Sequence, residues 1–197
     1  EIALRLAALY SGVDSSAFNS LLFRAGEWER LSQVREWSHT IEDRLLIDHT
    51  GGPTVSEIRA RCKQAQRSGG LDLVAIDYLQ ILGTTGKGAT ETERVSRLSN
   101  EIKLLQQSLG IPVLLLSQLN RASESEKRPP QLHDLRQSGS IEQDCDAALL
   151  LWAPDEPEAD DGSRSIKLFI RKHRGGKLGE IALRFYGSRY EFLEDAQ

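Results

Sequence analysis

The residues with the clearest chemistry stand where apolar runs stop. Leu73-Val74-Ala75-Ile76 is an unbroken apolar run, and the next residue is Asp77. A carboxylate at the end of a rigid buried strand can hold Mg2+, directly or through water, beside nucleotide phosphates; this is the Walker B arrangement. An Asp that opens a loop can equally cap nearby backbone N–H groups. Gln118 closes a second apolar run, IPVLLLSQ (111–118). A neutral amide there can contact a γ-phosphate, or can satisfy backbone at the strand end. Lys172 and Arg174 fall on one face of a strand, because side chains alternate with period two. Two cations on one face can reach a phosphate or can simply face solvent.

A different chemistry is suggested by HDLRQSGSIEQD (133–144). Arg136 precedes a Ser-Gly-Ser turn, and a cation beside backbone N–H groups in a small-residue loop suits a phosphodiester backbone. The same composition suits a plain surface loop. The segment holds no Phe, Tyr or Trp on which a base could stack, so a nucleic-acid strand bound there would be held by its phosphates, without regard to sequence.

Nucleotide chemistry also needs a phosphate cradle, and no GxxxxGK[ST] occurs in the 197 residues. GTTGKG (83–88) has the wrong spacing, and no Ser or Thr follows Lys87. It reads as a glycine-rich loop. A nucleotide site therefore requires a P-loop upstream of residue 1. The chain contains no methionine and begins directly in helical sequence, so it is expected to be a piece of a longer protein.

These residues need elements to hold them. Residues 2–13 read as a helix with Ile2, Leu6 and Leu9 on one face, and residues 14–40 carry Phe18, Leu21, Leu22, Trp28, Leu31, Val34 and Trp37 at helical intervals. Residues 44–49 read as a short strand. Thr54 with Glu57 makes a capping box, which predicts a helix from about residue 55 that stops before Gly69-Gly70. Thr90 with Glu93 makes a second box, ahead of a long helix faced by Val95, Leu98, Ile102, Leu105 and Leu109 and ended by Gly110. Residues 146–152 read as a third buried strand, 166–174 and 179–187 as a hairpin, and 190–193 as an added edge strand. Apolar runs alternating with amphipathic helices predict an α/β fold, a mostly parallel sheet flanked by helices with a C-terminal antiparallel extension. Functional groups in such sheets collect at the carboxyl ends of strands, which places Asp77 and Gln118 near each other.

The bulk properties set outer limits. A chain of 197 residues, 39% hydrophobic and 27% charged, suits one domain with a sizeable core. The net charge of −4 excludes a surface coated in DNA-binding charge, but leaves room for local basic loops. No apolar stretch approaches the roughly 20 residues that span a bilayer, and no segment reads as a signal peptide. Cys62 and Cys145 lack CxxC or Cys/His spacing and read as small buried hydrophobes in a reduced, cytoplasmic protein.

Taken in series, LVAIDYLQIL, IPVLLLSQLNR, KRPPQLHDLRQSGSIEQDCD and IRKHRGGKLG resemble the motor domain of the DnaB-type replicative helicases, in that order and at similar spacing. RLAALYSGVD (5–14) resembles the family helix that follows the P-loop unit. The resemblance covers nearly the whole of residues 1–197. It implies a RecA-like fold in a hexameric ring that uses ATP and Mg2+ to move along single-stranded DNA, with primase and a helicase loader as possible partners. It matches Asp77 to the Walker B Asp, Gln118 to the γ-phosphate-sensing Gln, and Arg5 to a helix Arg that faces the γ-phosphate. Lys172 and Arg174 match the Lys and Arg finger that reach the neighbouring subunit's ATP site. Arg136, Gln137 and Gly139 match the loop that grips DNA in the central channel. Three departures stand out: Gln137 where Glu is usual, His173 where Gln is common, and Gly175-Gly176-Lys177 where Asn-Gly-Pro is common. The family's P-loop and catalytic Glu would precede residue 1. A reading from another class is a non-catalytic RecA-like module that only assembles with partners or DNA.

Overall fold

The amino-terminal helical pattern resolves into α1 (Ile2–Ser11), α2 (Ser15–Ser20) and α3 (Glu27–Ile41). Ser11 turns the chain out of α1: its Oγ donates to Ala7 O at 2.6 Å and accepts the Val13 N–H at 3.2 Å. Asp14 then opens α2, its Oδ1 accepting the Ser16 N–H at 2.8 Å, one of the N–H groups that a helix start leaves without a partner. The buried face of α1 is not the predicted Ile2–Leu6–Leu9 stripe. Ala8 and Ser11 are buried, whereas Ile2 and Leu9 stand exposed. Small residues face inward because α1 lies close against α3, where Tyr10 stacks on Trp37 with ring centroids 4.5 Å apart. The predicted strand at 44–49 is not formed. Leu46 is exposed, and an extended segment without a ladder neighbour gains nothing over solvated coil.

The computed structural model describes residues 2–84, 90–120, 126–135 and 139–195. The chain divides into two units, one of Glu1–Ile47, Leu151–Phe169 and Glu180–Gln197, the other of Asp48–Leu150 and Ile170–Gly179.

In the second unit both predicted capping boxes are present. Glu57 Oε2 accepts the Thr54 N–H at 2.7 Å while Thr54 Oγ1 accepts the Glu57 N–H at 3.3 Å, and α4 (Val55–Ser68) follows. Thr90 and Glu93 repeat both distances ahead of α5 (Glu91–Leu109). The reciprocal bonds satisfy two otherwise orphaned donors at each start. α5 ends where Gly110 takes φ +69°, a left-handed conformation that costs glycine nothing, and its N–H reaches Gln106 O at 2.9 Å. Val95, Leu98, Ile102, Leu105 and Leu109 are all buried along one face of α5, as their spacing predicts. Each such side chain contributes roughly 1.5–3 kcal/mol on burial, which makes α5 the rigid centre of this unit. It packs on α4, on the 3-10 turn Leu79–Ile81 and on α6 (Gly139–Asp144).

β1 (Val74–Ile76) and β2 (Val113–Leu115) pair in parallel, with Val74 beside Val113, Ala75 beside Leu114 and Ile76 beside Leu115. The two runs are apolar on both faces, but burial alternates along them. Ile76 is buried, whereas Leu73 and Leu114 are each about half exposed (52% and 51%). Val74 and Ile76 thus face inward, while Leu73, Ala75 and Leu114 lie exposed.

β3 (Ala147–Trp152), β4 (Ser163–His173), β5 (Gly179–Tyr186) and β6 (Glu191–Glu194) form a four-stranded sheet in that order. β6 pairs antiparallel with β5, Leu183 beside Glu194 through Tyr186 beside Glu191. This is the predicted C-terminal extension, including its edge strand. β3 sits beside β4 in this sheet and alternates, with Ala148 and Leu150 buried and Leu149 and Leu151 exposed.

Candidate functional site

Parallel pairing brings Asp77 and Gln118 to neighbouring strand ends. The Leu116 N–H donates to Ile76 O at 3.0 Å, and the Leu79 N–H donates to Leu116 O at 2.9 Å. Asp77 thus leaves β1 directly beside the continuation of β2, two residues before Gln118. Both side chains are exposed, and the Asp77–Tyr78 peptide is cis. The sequence reasoning missed the residue that ties these ends together. Gln80 Nε2 donates to Ser117 Oγ at 3.1 Å, and Gln80 Oε1 accepts the Gln118 N–H at 3.3 Å. Arg94 of α5 clamps the same turn, its Nη2 donating to Gln80 O at 2.5 Å and to Leu82 O at 3.2 Å. An amide three residues past a strand-end carboxylate was the available signal for Gln80.

The donor set at Asp77 fits Mg2+ rather than a caged metal. Among the described residues no group of three or more His, Cys, Asp or Glu side chains could hold an ion alone. Mg2+ beside a nucleotide takes one or two carboxylates and completes its shell with phosphates and water, and one exposed carboxylate at a strand end meets that need. The cysteines stand apart from this chemistry. Both are free, Cys62 is buried and Cys145 half-buried, and burial pushes both thiols up.

Lys172 and Arg174 converge, as their alternation predicts, on one group of acceptors. Lys172 Nζ donates to Glu142 O and, at 3.3 Å, to Gln143 O. Arg174 Nη2 donates to Gln143 O at 2.8 Å, and Nη1 donates to Asp146 Oδ1 at 2.7 Å. The carbonyls belong to the end of α6, where unpaired C=O groups concentrate negative charge. Asp146 also meets Lys103 Nζ at 2.9 Å. The Lys103 ammonium, hydrogen-bonded to Asp146, holds its carboxyl below the usual range, with Arg174 acting in the same direction.

Arg5 lies in the other unit. Its guanidinium sits over the Tyr190 ring, 5.1 Å from the centroid, and it lines a cavity of about 200 Å³ with Leu4, Ser15, Asn19 and Tyr190.

Arg136 and Gln137 lie outside the described residues, as do 85–89 of the glycine-rich loop. Gly139 is described and opens α6. The segment before Arg136 is firmly built. Leu135 bridges Leu119 in antiparallel fashion, and the Asn120 N–H donates to Asp134 O at 2.8 Å. Leu119 follows Gln118 and Leu135 precedes Arg136, so one bridge joins the chain beyond the Gln118 strand end to the start of the Ser-Gly-Ser segment.

The family model described as the DnaB-like helicase C terminal domain matches residues 1–194. The replicative DNA helicase DnaB of Mycobacterium intracellulare is 37% identical over 96% of this chain and 33% of its own length. That of Rickettsia bellii is 32% identical over 96% of this chain and 42% of its own length. The chain therefore spans less than half the length of these relatives. Among solved structures, a DnaB-like replicative helicase described together with its interactions with primase superposes with a TM-score of 0.86 at 28% identity, over 97% of this chain and 46% of that one. A second solved structure, described as an ATPase domain, superposes with a TM-score of 0.85 at 28% identity, over 97% of this chain and 69% of that one.

Proposed function

Because the chain belongs to the DnaB-like helicase C-terminal domain family, we propose that it is part of the RecA-like motor of an ATP-dependent replicative helicase, a hexameric ring that moves along single-stranded DNA and unwinds duplex DNA. The observation that carries this reading is the parallel pairing of β1 with β2, after which Asp77 and Gln118 stand at neighbouring strand ends.

ATP, when bound with Mg2+, would supply a phosphoryl group whose transfer to water releases the free energy that drives movement. Asp77 holds the metal side of that site. The Gln118 amide reads the γ-phosphate, and its backbone N–H is already fixed by Gln80. Arg5 is assigned to the γ-phosphate as well. Lys172 and Arg174 would act on the ATP of the neighbouring subunit, where added positive charge stabilises the charge that develops as the γ-phosphoryl group is transferred and ADP departs. Arg136, Gln137 and Gly139 grip the DNA backbone. We assign the phosphate cradle and the water-polarising Glu to parts of the protein outside residues 1–197, in which no GxxxxGK[ST] occurs. Residues 1–197 are read as a portion of one motor domain of a cytoplasmic protein. Similarity to a helicase described with primase supports primase as a partner of the whole protein, and a helicase loader is proposed with it.

The test uses the intact protein with single-stranded DNA and a forked duplex. Turnover and unwinding that are both lost in Asp77→Ala support the motor. Ring assembly and DNA binding by the wild type without any turnover would instead favour a non-catalytic RecA-like module.

A further inference from the structure

We propose that Asp146 is the positioning residue of Arg174, holding its guanidinium in the pose from which it reaches a neighbouring subunit's phosphate. The inference rests on the reading of Arg174 as a residue that acts in trans.

Arg174 lies one residue past β4, and its side chain is 54% exposed. Left to itself, an exposed arginine at a strand end samples many rotamers, few of which point across a subunit interface. Asp146 holds it at two places. The Arg174 N–H donates to Asp146 O at 2.9 Å, which sets the backbone, and Nη1 donates to Asp146 Oδ1 at 2.7 Å, which sets the head. Gln143 O takes Nη2 at 2.8 Å. An arginine has five N–H donors, and these two head-group bonds engage one on each Nη. The guanidinium carries further donors beyond these two, and its side chain is exposed.

Asp146 is itself held by α5, whose apolar face is buried. Its Oδ2 accepts from Lys103 Nζ at 2.9 Å. Two residues earlier, Asp144 Oδ2 accepts from Ser99 Oγ at 2.6 Å. Ser99 and Lys103 stand four residues apart and so share one face of α5. The Cys145 N–H donates to Ile141 O at 3.1 Å. The chain of constraint runs from α5 through Asp144 and Asp146 to Arg174. Orientation fixed before the partner site arrives lowers the barrier of the step, and a misplacement of about 1 Å can cost roughly 10²-fold in rate.

The experiment compares intact wild-type protein with Asp146→Ala, Asp146→Asn, Arg174→Ala and the Asp146→Ala/Arg174→Ala double variant, with ring assembly followed by size. Asp146→Ala is expected to lower kcat roughly 10- to 100-fold with KM for ATP little changed, the pattern of an interaction made in the transition state. Asp146→Asn, which keeps an acceptor, should fall between Asp146→Ala and wild type. The double variant should be no slower than Arg174→Ala alone. Mixing Asp146→Ala subunits with Asp77→Ala subunits should restore turnover, because some interfaces then join an ordered Arg174 to an intact Asp77. A purely structural defect gives no such complementation. If Arg174→Ala is inactive while Asp146→Ala turns over at the wild-type rate or faster, the positioning role is overturned and the trans role stands. An active Arg174→Ala would overturn the trans role itself. Should Asp146→Ala not assemble, Asp146→Asn decides: a kcat drop relieved by mixing with Asp77→Ala supports the inference, and wild-type turnover overturns it.

Discussion

Asp134 has no solvent-exposed surface, and it receives both Nη atoms of Arg128, at 2.6 and 3.0 Å. Its Oδ2 also accepts the Gln131 N–H at 2.8 Å. The carboxylate closes the turn Gln131–Leu135 on itself and fixes the residue before Arg136. Removing it in Asp134→Ala should cost about 1.5–3 kcal/mol, the worth of hydrogen bonds to a charged group. The larger penalty for breaking a wholly buried pair does not apply, because Arg128 is partly exposed and can rehydrate. The Arg128 guanidinium holds the Asp134 carboxyl at about 2, below its usual 3.8, with the exposed His133 3.6 Å away acting in the same sense. A carboxyl depressed in the folded state stabilises it above the unfolded-state value and loses that contribution as the pH falls through 3.8 toward 2. Denaturation of wild type and Asp134→Asn should therefore differ most near neutrality and converge in acid. A gap that stays constant across that range would remove the ion pair from the account.

Gln80 is the second residue whose role is visible only in three dimensions. Its amide bonds both Ser117 and the Gln118 backbone. Gln80→Ala should lower ATP turnover of the intact protein roughly tenfold or more by loosening the Gln118 strand end, with nucleotide binding largely kept. Gln80→Glu keeps the acceptor for the Gln118 N–H and should retain more turnover than Gln80→Ala. Steady-state kinetics with a separate nucleotide-binding measurement checks this; equal losses in binding and turnover would mean that Gln80 supports the fold and not the amide.

What the sequence discloses and what it hides divides along physical lines. The starts of α4 and α5 were legible because Thr54–Glu57 and Thr90–Glu93 are contacts three residues apart. The end of α5 was legible because Gly110 is a local backbone signal. The placement of Asp77 and Gln118 at neighbouring strand ends followed from parallel topology alone. The inward face of α1 was not legible, because the close approach of α3 selects Ala8 over larger neighbours. The exposure of Leu73 and Leu114 was hidden too, since an apolar strand pattern does not say which faces are covered. Nor does any period in the sequence pair Arg174 with Asp146, 28 residues away, or Ser99 with Asp144, 45 residues away.

Gly83 marks a place where the backbone leaves no room. A Cβ added there would lie 2.6 Å from Gly52 O, a main-chain atom that cannot rotate aside. The contact exists because the Gly83 N–H donates to Pro53 O at 3.0 Å and Gly83 bridges Thr54 at the start of α4. Gly83→Ala should destabilise the protein by roughly 1–3 kcal/mol, the usual range for overpacking. Gly69→Ala meets no atom within 4 Å and serves as the control. Chemical denaturation of the two variants measures the difference; equal stabilities would mean that residues 52–54 yield to the added methyl.

The Ser-Gly-Ser segment carries the last expectation. Arg136→Ala in the full ring should weaken single-stranded DNA binding about equally for all sequences. The flanks argue for a fixed mounting: Leu135 is bonded to Leu132 O at 3.0 Å and bridged to Leu119, and α6 begins at Gly139. Residues 133–144 offer a cation and backbone N–H groups but no Phe, Tyr or Trp to stack a base. Each lost phosphate contact should reduce the salt dependence of binding by about 0.7 per site on a single strand. In the proposed ring, with one such segment per subunit, the combined fall in slope should amount to several such steps when several subunits engage the strand. DNA-stimulated turnover should fall together with binding, while turnover without DNA should hold. Salt titrations on homopolymeric oligonucleotides, wild type against Arg136→Ala, measure the slope directly. An unchanged slope, or a loss confined to one base, would show that Arg136 does not contact the backbone and that the DNA grip lies elsewhere in the chain.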